Sequence, residues 1–140
     1  MRAKISIVSA AFGLLAVAVP SWAHHAFAAE FDVNKPLQLK GTVTKMEWIN
    51  PHAWIHIDVK GADGKTTEWM IEAGAPNGLL RRGFTKASLP AGTEVVVEGW
   101  QAKDGSNRAN GSNITLPDGK KLFVGSSGTG APFENKDGKQ

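Results

Sequence analysis

The sequence contains no cysteine. This absence excludes disulfide bonds, lipid anchors on cysteine, zinc–thiolate sites and thiol catalysis. Stability must therefore come from the hydrophobic core. Five tryptophans, of which only Trp22 lies in the N-terminal leader described below, supply a large share of the apolar area for that core.

A strong excess of charge of one sign is also missing. The whole sequence has 16 lysines and arginines, 13 acidic residues and a formal net charge of +3, which falls to +1 once Arg2 and Lys4 are removed with the leader. A nearly neutral surface gives little electrostatic support to the binding of nucleic acid. We therefore expect no nucleic-acid partner.

Recognisable catalytic motifs are lacking as well. The sequence has no Ser-His-Asp order, no phosphate-binding loop and no His-Glu-x-x-His pattern. Its scattered glutamates do not define a pair of catalytic carboxylates. We therefore predict that the protein is not an enzyme and has no catalytic residues.

Only one long hydrophobic run is present, and it lies at the start of the sequence. Arg2 and Lys4 precede an apolar run over 5–19, and small residues follow within 20–23. This order is typical of a secretory signal peptide, and the run is too short to span a bilayer comfortably. We predict a signal peptide over 1–23, export to the periplasm and no membrane insertion after its removal.

The position of the cleavage site decides which residues begin the mature protein. The small residues Ser21 and Ala23 favour a cut before His24. Removal of 23 of the 140 residues leaves 117, which is enough for one domain with one modest core. A cut after Ala28 is the alternative, and it would remove both His24 and His25.

Most of the remaining chain alternates apolar and polar residues with a period of two, which predicts β-strands with one buried face. The predicted strands run from Leu37 to the break at Asn50-Pro51 and then over 53–59, 66–72, 93–101, 108–116 and 121–124. Between the third and fourth strands, the segment 76–83 has proline near its start and ends on glycine, which predicts one short helix.

The first predicted strand is irregular. Beyond Lys45 the apolar positions change parity, and Gly41 lies in mid-strand, where a bend or bulge costs little. We therefore expect this strand to be sharply coiled.

The order of three strands, one short helix and two further strands is that of the OB-fold. We predict an all-β fold over 24–124, a small five- to six-stranded OB-like barrel with one short helix between strands 3 and 4. Another small β-barrel or sandwich with an incidental helix is the alternative. The segment 125–140 is rich in glycine, serine and lysine, has only Phe133 to bury and is predicted to be a disordered tail.

All four histidines lie in two clusters, and this clustering is the main functional signal. The first cluster is His24 and His25 at the predicted mature terminus. A free α-amine beside an imidazole chelates a metal ion through two nitrogens, and nitrogen-rich ligation without thiolates suits copper(II) better than zinc or iron. The hypothesis is a site for copper or another transition metal. The alternative is a solvated remnant of the leader without a partner.

The second cluster consists of His52 and His56. Proline at 51 and the β-branched alternation favour a strand, on which the two histidines share a face but stand about 13 Å apart. His56 and Asp58, about 6.6 Å apart on that face, are a closer pair. The candidate metal ligands are therefore His24, His25, His52, His56 and Asp58, with Glu68 and Glu72 of the third strand as further oxygen donors. The alternative is that His52 caps the turn and His56 is an exposed strand residue.

The same segment offers an aromatic surface. Trp48 and Trp54, with Asn50 in the loop between them, are candidate ligand-binding residues that would stack on a small ligand or a partner protein. This second hypothesis makes the protein an accessory or interaction module. Tryptophans in a small barrel are also often partly buried against the core.

Several motifs together resemble a known family. They are the segments 24–32 (His-His-Ala-Phe-Ala-Ala-Glu-Phe-Asp), 41–43 (Gly-Thr-Val), 47–54 (Glu-Trp-Ile-Asn-Pro-His-Ala-Trp), 68–72 and 89–93 (Leu-Pro-Ala-Gly-Thr). Over most of the mature chain, the sequence is similar to small exported bacterial proteins grouped only as a domain of unknown function. The resemblance implies export and a single domain, and it implies no particular activity, cofactor or catalytic residue.

Overall fold

A computed structural model describes residues 26–126 and 131–132. The predicted signal peptide and the first histidine cluster, His24 and His25, lie outside the described residues. The elements, in chain order, are α1 (Ala26–Glu30), β1 (Phe31–Glu47), β2 (Trp54–Lys60), β3 (Thr66–Glu72), α2 (Pro76–Arg81), β4 (Glu94–Ala102), β5 (Arg108–Thr115) and β6 (Lys121–Phe123).

The six strands form one sheet in the order β3-β2-β1-β4-β5-β6, in which all neighbours are antiparallel. β3 also pairs with β5 in parallel, and this pairing brings the strands into a near-closed ring. The prediction of a mostly β fold with a short helix between the third and fourth strands is confirmed. Within the described part of the chain, neither helix is long and apolar enough to cross a membrane.

β1 is the longest strand because it serves two neighbours in turn. Its first part, as far as Thr42, pairs with β4, and its second part, from Gly41 onward, pairs with β2, so that the two pairings overlap at Gly41 and Thr42. The register with β2 shifts between Val43 and Lys45, which confirms the predicted irregularity. A Cβ on Gly41 would lie 2.7 Å from the carbonyl oxygen of Asp58, so the crossing strand leaves room only for glycine there.

The inward faces of the strands meet in the main core. The fully buried side chains include Ile55 and Ile57 of β2, Ile71 of β3, Val97 of β4 and Ile114 of β5. Burying each such side chain stabilises the fold by about 1.5–3 kcal/mol. In β2 this leaves Trp54, His56 and Asp58 on the outer face, as the alternation predicts.

A second core lies apart from the main core, and the sequence does not predict it. Phe27 of α1, Phe31 and Ala102 are buried together with Ala131, and Trp100 packs against them. The rings of Phe27 and Trp100 meet edge to face with centroids 5.5 Å apart. Long-range packing of this kind explains why a five-residue helix forms at α1 without any acidic residue in its first turn.

Part of the predicted disordered tail, 125–140, is described. Gly125 is buried, and its carbonyl oxygen accepts a hydrogen bond of 2.6 Å from Arg82. Ala131 is fully buried in the second core, and Pro132 lies beside it in the chain. The other residues beyond Ser126 lie outside the described ranges.

Candidate functional site

The loop between β1 and β2 presents His52 beside the end of β3. The peptide bond between Asn50 and Pro51 is cis. The backbone that follows is held on the sheet, because the amide of Ala53 donates to the carbonyl of Gly74 at 3.1 Å and the carbonyl of Ala53 accepts from Ala73 at 2.8 Å. The residue next to His52 is therefore fixed on the rigid part of the fold.

His52 forms a close contact with the carboxylate of Glu72. Its Nδ1 lies 3.1 Å from Oε1 of Glu72, and the side chain of Glu72 is only 7% exposed, against 24% for His52. An imidazole held by a carboxylate at Nδ1 carries its proton there and leaves Nε2 as the nitrogen that can bind a ligand. The contact with Glu72 is made by Nδ1 and does not involve Nε2.

Asn110 of β5 supports Glu72 from the other side. The parallel pairing of β3 with β5 sets Glu72 opposite Asn110, and Nδ2 of Asn110 donates to Oε1 of Glu72 at 3.5 Å. Both side chains are buried. The Oδ1 atom of Asn110 is buried without a hydrogen-bond partner in the described residues. Glu72 is therefore a buried carboxylate that accepts from two side chains at one oxygen.

The pKa of His52 is raised above its ordinary value of 6.5. The hydrogen bond to Glu72 is the largest cause, burial opposes it, and the negative charges of Glu72 and Glu30 add to it. Glu30, the last residue of α1, thus lies within electrostatic reach of His52. It is held there by the amide of Lys103, which donates to its carbonyl at 2.9 Å, and by Arg108, 3.7 Å from its carboxylate.

His56 lies on the outer face of β2 but is not exposed, since only 5% of its side chain is accessible. Its Nδ1 is 3.0 Å from Oε1 of Glu68 on β3, and its Nε2 is 3.6 Å from Oε2 of Glu47 on β1. The second distance is too long for a hydrogen bond, and Nε2 has no other partner in the described residues. The alternative interpretation of His56 as an exposed residue is therefore wrong, because side chains from both neighbouring strands cover it.

Asp58 is not the carboxylate that meets His56. In the sheet it stands opposite Thr42 on β1 and Glu68 on β3, and the ring nitrogens of His56 face Glu68 and Glu47 instead. The described residues contain no group of three or more histidine or acidic side chains arranged to hold a metal ion. His52, His56 and Asp58 therefore do not converge on one site.

The predicted aromatic surface is divided. Trp48 packs against the main core, where its ring stacks on Phe84 with centroids 6.4 Å apart. Trp54 is half-buried on the outer face of β2, and Asn50 is exposed in the loop. Trp54 also stands opposite Glu72 in the sheet, so it borders the His52 site.

Three contributors to this region were missed from the sequence: Glu30, Glu47 and Asn110. The parity of the third strand did place Glu68 and Glu72 on the face of the histidines, and both carboxylates contact a histidine ring. The role of Asn110 depends on the parallel pairing of β3 with β5, which periodicity does not reveal. Glu30 ends α1, an element without a sequence signal, and its charge adds to the raised pKa of His52.

The sequence matches the model of a family of unknown function, DUF6152, over residues 11–112. The histidine clusters at 24–25 and 52–56 both fall within that range. No curated protein and no solved structure matches the chain. Since the match covers most of the sequence, the chain belongs to the DUF6152 family of unknown function.

Proposed function

We propose that this protein is a non-enzymatic binding domain, exported to the periplasm, that takes up a transition-metal ion at His52. Copper(II) is the leading candidate, because the available donors are nitrogens and the sequence has no thiolate. The histidines next to α1, His24 and His25, are the proposed partners of His52.

We also propose that the near-closed ring is a small barrel of the OB type. The pairings run β1-β2-β3-β5-β4 and return to β1, with α2 between β3 and β4. OB-folds use the loop between the first two strands for binding. His52 lies in that loop, so the proposed fold and the proposed site support each other.

The observation that carries the proposal is the bond between His52 and Glu72. Histidines that bind metals almost always hold a carboxylate, a carbonyl or water at the other ring nitrogen, which fixes the tautomer and raises the basicity of the ligand. The distance of 3.1 Å between Nδ1 and a buried carboxylate is an arrangement of this kind. His56 differs, since both of its nitrogens face carboxylates and its ring is buried.

The described residues do not hold a complete group of metal ligands, and chain connectivity favours the first histidine cluster as the source of further ligands. His25 is bonded to Ala26, the first residue of α1, and Glu30 ends that helix. The negative charge of Glu30 is one cause of the raised pKa of His52, which supports the first histidine cluster as the proposed partner of His52.

Titration of the mature protein with copper(II) tests the proposal. The chain must begin at His24, and binding is followed by calorimetry and by electron paramagnetic resonance. We expect an affinity in the micromolar range or tighter, with nitrogen hyperfine structure. His52→Ala should weaken binding by more than about tenfold. One alanine added before His24 should also weaken it, because the chelating α-amine is moved.

Asp58→Asn is the matched control, since Asp58 is a candidate from the sequence that contacts neither histidine ring. It should leave copper affinity unchanged. If His52→Ala binds copper as tightly as the parent protein, His52 is not a ligand.

Unchanged spectra and melting temperature on adding copper would favour the docking module, in which Trp54 and Asn50 contact a partner. Mass spectrometry of the exported protein fixes its first residue, and a chain beginning at Ala29 would remove the proposed site.

A further inference from the structure

One end of the sheet exposes several large apolar side chains. Among the described residues, three of the four exposed large hydrophobic side chains are Ile49, Leu80 and Phe123, at 50%, 48% and 37% exposure. Leu80 lies in α2, which follows the end of β3. Trp48, the chain neighbour of Ile49, stacks on Phe84, whose amide donates to the carbonyl of Leu79 in the same helix. We call this region, with Arg81, Arg82 and Lys86, the α2 end.

The α2 end also carries positive charge. Between positions 73 and 93 the sequence has three cations, Arg81, Arg82 and Lys86, and no aspartate or glutamate. All three are exposed. Arg82 is engaged within the fold, since its guanidinium lies 4.8 Å from the ring centre of Phe123 and donates to Gly125. Arg81 and Lys86 form no salt bridge with the described residues.

We propose that the α2 end adsorbs to a phospholipid surface of net negative charge. Apolar side chains flanked by cations suit the boundary between headgroups and acyl chains, where Leu80 and Ile49 would enter and Arg81 and Lys86 would meet phosphates. This inference does not depend on the metal proposal.

The exposed cations of the α2 end favour a lipid surface over an acidic polypeptide as the partner. Recognition of a particular carboxylate uses cations held in fixed geometry, as in a bidentate arginine pair. Arg81 and Lys86 are exposed, and no salt bridge with the described residues fixes either charge in such a geometry. A charged membrane surface is itself diffuse, and each lysine or arginine near it strengthens partitioning by about fivefold.

Vesicle co-sedimentation of the chain without its signal peptide tests the proposal. We expect binding to vesicles of phosphatidylcholine with phosphatidylglycerol at low salt, and little binding to phosphatidylcholine alone or at high salt. The double variant Arg81→Glu with Lys86→Glu should weaken binding by roughly 25-fold or more. Leu80→Ser changes no charge, and it should weaken binding through the lost apolar contact.

The matched control reverses two charges at the opposite end of the sheet. Lys60 and Lys65 flank the turn between β2 and β3, and the double variant Lys60→Glu with Lys65→Glu has the same net charge as the test variant. It should keep most of the binding, and thermal melts should show that both variants fold. Equal losses in the two variants would overturn the proposal. Absent vesicle binding would also overturn it, and binding of poly-glutamate in its place would identify an acidic partner.

Discussion

His52 and His56 lie four residues apart in one segment, yet the fold gives them opposite environments. His52 meets one buried carboxylate at Nδ1 and keeps part of its ring accessible. His56 is almost fully covered and lies between two more exposed carboxylates, one on each neighbouring strand. The comparison shows that the positions of the carboxylates decide what each histidine can do. His52, held at one nitrogen, can offer its other nitrogen to a ligand, whereas His56 lies between carboxylates of two strands and connects them.

The largest expected effect is loss of the strand-joining histidine. His56→Ala should lower the free energy of unfolding by about 2–3 kcal/mol, because it removes a buried ring and leaves the carboxylates of Glu47 and Glu68 facing each other across the vacated space. Urea denaturation of the mature protein measures this. His52→Ala is the matched control and should cost clearly less, since that ring is only partly covered. Equal losses would contradict the contrast.

Glu72→Gln should have the next largest effect, and it acts on the other histidine. The substitution keeps the shape but removes the charge that orients His52, so copper affinity should fall by about 10–100-fold while the fold persists. The pKa of His52 should also fall toward its ordinary value, because the hydrogen bond to Glu72 is the main cause of its elevation. Proton NMR titration of the imidazole measures the pKa without any metal. An unchanged pKa would show that Glu72 does not act on His52.

A smaller effect is expected in the pH dependence of stability without metal. The folded-state pKa of His52 is raised, so its contribution is fully present below the unfolded value near 6.5 and is lost as pH rises through the folded value. The free energy of unfolding of the parent protein, relative to that of Glu72→Gln, should therefore decline as the pH rises above about 6.5 and through the folded-state pKa of His52. Urea denaturation of both proteins across neutral pH tests the sign. A difference that grew with rising pH would contradict it.

The smallest effect is expected from Glu68→Gln. The glutamate side chain is 59% exposed, so neutralising it should change the free energy of unfolding by less than about 1 kcal/mol. The same change at the buried Glu72 is the comparison, with its effect seen mainly in the properties of His52. A large destabilisation by Glu68→Gln would contradict this expectation. It would mean that the position of His56 depends strongly on the carboxylate of Glu68, although that carboxylate is largely exposed.

Much of the fold follows from local patterns. The alternation over 66–72 predicts β3 as the structure has it, and proline with glycine around 76–83 predicts α2. The alternation predicts the start of β1 at Leu37, six residues after its actual start at Phe31, because the preceding residues do not alternate and are held by pairing of Phe31 and Pro36 with β4. Such pairing between distant segments leaves no local periodicity to detect.

The candidate site could be predicted only in part for the same reason. Parity alone puts Glu68 and Glu72 on the face of the histidines. It does not tell which carboxylate meets which ring, since this depends on the register between β2 and β3. The environment of His56 on β2 includes Glu47 of β1 as well as Glu68 of β3. The burial of this ring therefore depends on the pairing of three strands, which the sequence of one strand does not reveal.

The second core gives the N-terminal helix an intrinsic optical signal. The indole of Trp100 has the ring of Phe27 against it, whereas Trp48 and Trp69 pack on the main core. Lifting α1 from β4 would remove that ring partner and change near-ultraviolet circular dichroism and fluorescence before global unfolding begins. Events at the front of the chain, such as proteolysis or fusion to another protein, can therefore be followed without a label.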